Sequence, residues 1–141
     1  MKRSNRMDTI IGLSKNQKDI AAKTFAQSQQ LLEQSKAQLA DMKRCRREYS
    51  DQLGTGPSHI RTASELKGIR IFIQQLDVAI QQLDQQVIER ATTNAKHQDQ
   101  WLKLHNKTRA LGNIKERYAN DEQKMMEQKE QFEIDELSQR K

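Results

Sequence analysis

One short stretch governs what this chain can become. GTGPSHIR, residues 54–61, holds two of the five glycines and the only proline. Nowhere else do strong breakers cluster, and few breakers mean few, long elements. The sequence therefore predicts two helices joined by one turn.

Hydrophobic periodicity supports this on both sides of the break. In steps of four and three, the first half reads Ala21, Phe25, Ser28, Leu32, Ser35, Leu39, Met42, Arg46, Tyr49 and Leu53. That is a heptad seam, softened at its serines and interrupted at Arg46. It extends backward through Ile11 and Met7, with Ile10, Leu13 and Ile20 alongside. Gly54 stands where a helix C′ residue belongs. After the break, Thr62 and Glu65 are spaced as a capping box, which starts a second helix near Ala63. Its seam reads Leu66, Ile69, Ile73, Leu76, Ile80, Leu83 and Val87. It turns polar at Arg90, Asn94 and His97, then resumes at Trp101, Leu104, Thr108 and Leu111, with Tyr118, Met125 and Phe132 beyond. Gly112-Asn113 is its weakest point, because both are poor helix formers.

Composition agrees. The chain has 141 residues, 34% hydrophobic, 4% aromatic and 31% charged. An ordinary globular domain is roughly 45–50% apolar. Long helices that bury only a seam suit this budget of apolar residues; a thick core does not. The expected fold is all-α, a two-helix antiparallel coiled-coil hairpin forming one domain over 1–141. Helix one is placed at about 7–53, the turn at 54–61 and helix two at about 63–137. A turn centred near residue 59 makes facing residues sum to about 118, so that Met42 faces Leu76. Residues from about 113 onward then overhang, with nothing opposite them.

The stripe FIQQLDVAIQQLDQQV, residues 72–87, is wider than one neighbouring helix needs. Phe72 and Ala79 add a second row beside Leu76 and Leu83. Gln38, Met42, Cys45 and Tyr49 share a face of helix one. Together these suggest a partner-docking patch built on Met42, Tyr49, Phe72, Leu76 and Ala79. A third helix from a second copy, or a thicker seam, explains the same width.

Chemistry-bearing motifs are lacking. There is no phosphate-binding glycine loop, HExxH or CxxC, and no Ser/His/Asp set. His97 and His105 have no thiol or carboxylate arranged beside them for a metal. Cys45 is the sole cysteine, which precludes an internal disulfide and fits a reducing compartment. No catalytic, cofactor-binding or metal-binding residue is expected. No apolar run approaches the ~18 residues of a membrane span, and MKRSNRMDTIIGL is too interrupted for a signal peptide. The net charge is +6, with KRCRRE at 43–48 the densest basic run. Cys45 and Tyr49 are the only stacking or base-reading groups near it, so a solvated helix face explains the run better than nucleic acid.

Four segments in order resemble the FliJ family of bacterial flagellar export proteins. They are LLEQSKAQLADMKRCRREYSDQL, FIQQLDVAIQQLDQQV, the mid-helix Trp101, and EQKEQFEIDELSQRK at the C-terminus. The resemblance covers nearly the whole chain. It implies a non-enzymatic central stalk of the flagellar type III export ATPase hexamer, promoting ring assembly and activity. It also implies contacts with the cytoplasmic domain of the membrane-embedded export gate and with export chaperones. The location it implies is cytoplasmic, peripheral to the inner membrane at the flagellar base. The family's gate-facing surface corresponds to Gln38, Met42, Cys45 and Tyr49 on helix one and to Phe72, Leu76, Ala79 and Leu83 on helix two. Cys45 stands where the family commonly has an aromatic, and Leu83 where a polar ring can occur. Ile10, Leu13, Tyr118, Met125 and Phe132 are the expected ATPase-facing residues. The alternatives are the equivalent stalk of a virulence secretion system, a basic coiled-coil binding module, and a structural homodimer.

Overall fold

The computed structural model describes residues 2–53 and 62–140. Among them are two helices and no strand: α1, Arg3–Gln52, and α2, Ala63–Gln139. Helix α1 begins four residues earlier than the periodicity suggested, because Ser4 and Met7 extend its buried seam. Helix α2 passes through Gly112-Asn113 unbroken. The expected capping box forms. The Glu65 N–H donates to the Thr62 hydroxyl at 3.1 Å, and the Thr62 N–H donates to the Glu65 carboxylate at 3.3 Å. These bonds satisfy donors that a helix N-terminus otherwise leaves open. The GTGPSHIR connection and the expected C′ residue Gly54 lie outside the described residues.

The chain divides into two compact units, each pairing a segment of α1 with an antiparallel segment of α2. One comprises residues 24–97, the other residues 1–23 with 98–141.

In the unit formed by 24–97, Leu32, Ile69, Ile73 and Leu76 are buried, with Ser28 and Ser35 among them. Burying each large aliphatic side chain contributes about 1.5–3 kcal/mol. Ser35 is wholly buried. Its hydroxyl accepts from the Arg90 guanidinium, which also donates to the Leu31 carbonyl at 3.1 Å. Serine lets the backbones approach where leucine would hold them apart, and the Arg90 guanidinium reaches across the helices to its hydroxyl. The polar stretch of α2 therefore belongs to the seam rather than interrupting it.

In the unit formed by 1–23 and 98–141, Ser4, Met7, Ser14, Ala21 and Thr108 are buried. The Ser14 and Thr108 hydroxyls lie 2.6 Å apart. The Thr108 hydroxyl proton goes to the Leu104 carbonyl at 2.8 Å, so Ser14 is the donor between them. Ser4 donates twice to the Glu122 carboxylate, from its N–H at 3.2 Å and its hydroxyl at 2.7 Å. Lys115 pairs with Asp8, and the Arg3 guanidinium lies 5.7 Å from the Tyr118 ring centre. Trp101 stacks on His105, with centroids 5.2 Å apart. Beyond Glu122, every described residue of α2 is exposed.

The register corrects the turn arithmetic. Facing residue numbers total 121 for Tyr49–Phe72, 123 for Arg46–Asp77, 122 for Ser14–Thr108 and 126 for Ser4–Glu122. Met42 thus lies level with residues near 80, one helical turn from the expected Leu76. Interlocking side chains set the register, and a loop need not sit symmetrically about it.

Candidate partner-binding face

All eight residues expected to form a docking patch lie in the unit formed by 24–97. Gln38 is exposed. Met42, Cys45, Tyr49, Ala79 and Leu83 are half-buried. Phe72 is 36% exposed, large for an aromatic side chain on a helix that already has a neighbour. The rings of Tyr49 and Phe72 meet edge to face, with centroids 4.7 Å apart and planes inclined by 61°. Such a pair contributes about 0.5–1.5 kcal/mol beyond its buried area.

Leu76 departs from the expected role. It is only 6% exposed and lies in the seam. It supports the face from beneath and offers a partner little surface. Its position in the heptad, shared between both rows of the stripe, is why the sequence assigned it to both.

Helix geometry separates this face from a second one. Each residue advances about 100° around the axis. Cys45 and Lys43, two apart, therefore point to opposite flanks of α1. Phe72 and Asp77, five apart, diverge by about 140° around α2. One flank carries Cys45, Tyr49 and Phe72. The other carries Lys43 and the Arg46–Asp77 ion pair. Arg46, read from the sequence as an interruption of the seam, spans the two helices there. The Asp77 carboxylate, bonded to the Arg46 guanidinium, holds its pKa above the usual arginine value.

The second set of expected contact residues lies in the other unit. Ile10 and Leu13 are 48% and 61% exposed, flanking the buried Met7 and Ser14 rather than joining them. Tyr118 is half-buried beneath Arg3. Met125 and Phe132 are 70% and 65% exposed, on the part of α2 beyond the last contact with α1. Near that last contact, the Ser4 hydroxyl holds the Glu122 carboxyl below the usual glutamate range.

The family model for the flagellar FliJ protein matches residues 2–141. The chain belongs to the FliJ family. FliJ proteins are non-enzymatic components of the flagellar export apparatus. No curated relative and no solved structure matches the chain. Among the described residues, no helix is long and apolar enough to cross a membrane, and no three His, Cys, Asp or Glu side chains are grouped to hold a metal ion.

The polar rungs of this FliJ chain were not legible as pairs. Ser4–Glu122, Ser14–Thr108 and Ser35–Arg90 join residues 118, 94 and 55 positions apart. The available signal was serine recurring at heptad positions, which marks closely packed seams.

Proposed function

We propose that this FliJ-family chain is the central stalk of the flagellar export ATPase. In this reading residues 1–141 act as one coiled-coil element. The terminal part of α2, with Met125 and Phe132, enters the ATPase ring together with Ile10, Leu13 and Tyr118 and promotes its assembly and activity. The face of Gln38, Met42, Cys45, Tyr49, Phe72, Ala79 and Leu83, backed by Leu76, meets the cytoplasmic domain of the export gate. Export chaperones are further partners, and membrane association is peripheral, through the gate.

The observation that carries the reading is the run from Gln123 to Arg140. It is helical through Gln139, exposed throughout and without a facing segment of α1, yet it keeps Met125, Met126, Phe132, Ile134 and Leu137 at the surface. Isolated helices are marginal in water. Large apolar side chains on several sides of one helix suit enclosure by a surrounding assembly better than packing against one neighbour.

The test is ATP hydrolysis by the purified flagellar export ATPase, titrated with the full chain, with a form ending at Gln123, and with Met125→Asp/Phe132→Asp. The shortened form keeps every buried or half-buried residue among the described residues of α2. Saturable stimulation by the full chain, lost in both altered forms, supports the stalk. Equal stimulation by all three removes the overhang from the ring, and none by any of them removes the stalk.

A further inference from the structure

The flank opposite Tyr49 and Phe72 carries a groove of about 590 Å³ between α1 and α2 in the unit formed by 24–97. It is lined by Ala40, Lys43, Arg46, Arg47, Asp77 and Ile80. From Ala40 to Arg47 it follows about two helical turns, or about 10 Å. Half-buried Ile80 supplies apolar floor, and exposed Ala40 adds apolar surface beside the cations on α1. Arg46 and Asp77 neutralise each other across it.

That leaves two cations. Lys43 and Arg47 are exposed, and neither makes an ion pair among the described residues. They stand four apart on one edge of α1, where Cβ atoms are about 5–6 Å apart. Like charges at this spacing destabilise a helix slightly. An external anion would relieve that repulsion. The lining thus has three cations against one carboxylate, with an apolar floor between.

We infer that this groove docks an acidic amphipathic helix of a partner protein. Two carboxylates one turn apart on such a helix match the spacing of Lys43 and Arg47. Small apolar side chains on the adjoining face cover Ala40 and Ile80. Nucleic acid fits less well. No aromatic side chain lines the groove for stacking. A flat lipid surface reaches the two cations but not the floor. The site does not depend on the stalk reading, since it lies on a different flank from the face assigned to the gate.

The experiment uses the purified full chain and a labelled synthetic helical peptide with Ala and Leu on one face and Glu at i and i+4 along its edge. Binding is read by fluorescence anisotropy. Saturable binding is expected, weakened about tenfold, or about 1.4 kcal/mol, by Lys43→Glu/Arg47→Glu. A peptide with Lys in place of Glu should regain affinity for that variant, and Phe72→Ala should leave the original affinity unchanged. Lys43→Gln/Arg47→Gln, checked for helicity by circular dichroism, replaces the reversal if the latter unfolds. Equal binding of the Glu peptide to wild type and variants overturns the proposal. So does tighter charge-dependent binding of a single-stranded oligonucleotide or of phosphatidylserine vesicles.

Discussion

The Tyr49 ring stands edge-on to Phe72 across the two helices, with centroids 4.7 Å apart. The contact shields part of each ring and leaves Phe72 more than a third exposed. Phe72 therefore contributes modestly to the fold while presenting apolar surface outward. Phe72→Ala is expected to lower unfolding free energy by about 1–2 kcal/mol, below the roughly 3–5 kcal/mol of a fully buried phenylalanine. The protein should stay helical by circular dichroism. Affinity for the cytoplasmic domain of the export gate, measured by calorimetry, should fall at least about tenfold if the ring anchors that contact. Unchanged affinity would take Phe72 out of the interface.

Ser35 sets how closely the helices approach in its unit. It is wholly buried and receives the Arg90 guanidinium. Ser35→Leu should destabilise by about 1–3 kcal/mol through overpacking, although it makes the heptad pattern more regular. Urea denaturation measures this. A gain in stability would show that the seam has room in reserve.

The Asn94 amide oxygen is buried without a protein hydrogen-bond partner. Removing a buried, unsatisfied polar group recovers about 1–3 kcal/mol of desolvation. Asn94→Leu should raise the thermal midpoint. Polar seam residues also restrict pairing alternatives, so the same variant should show more self-association in sedimentation. A lower midpoint would refute the first expectation.

Glu122 carries a pH dependence. Its carboxyl is held below the usual glutamate range, chiefly by the Ser4 hydroxyl. A depressed folded-state pKa contributes stability that is present above the unfolded-state pKa and lost as pH falls through the folded value. Carbon-detected NMR titration should therefore find Glu122 the more acidic for this bond, and Ser4→Ala should move it back up. The Ser4→Ala protein should also lose less stability than wild type across that acidic interval. If the titration of Glu122 is unmoved by Ser4→Ala, the bond is not its cause.

Arg46 and Asp77 make an exposed cross-helix ion pair. Exposed pairs contribute little to stability. Arg46→Ala should therefore lower stability only slightly in low salt, and by less in high salt as screening grows. A larger loss would mean that the Arg46 stem packs in the seam.

Much of this protein was determined by its sequence alone. One cluster of glycine and proline permits two helices, and the Thr62–Glu65 pair marks where the second begins. The heptads at Leu32, Ile69 and Ile73 name the core, because 3.6-residue periodicity is a local property written in consecutive residues. Phe72 could be singled out for the same reason: its angle relative to Leu76 follows from helix geometry. What only the tertiary structure decided were relations between the helices. The register fell one turn from the symmetric expectation, Leu76 went under the face rather than onto it, and Ser4, Ser14 and Ser35 found Glu122, Thr108 and Arg90. The groove beside Lys43 and Arg47 also needs both helices in place. Each of these depends on how two side-chain surfaces interlock, and that matching is set by packing between residues far apart in the chain.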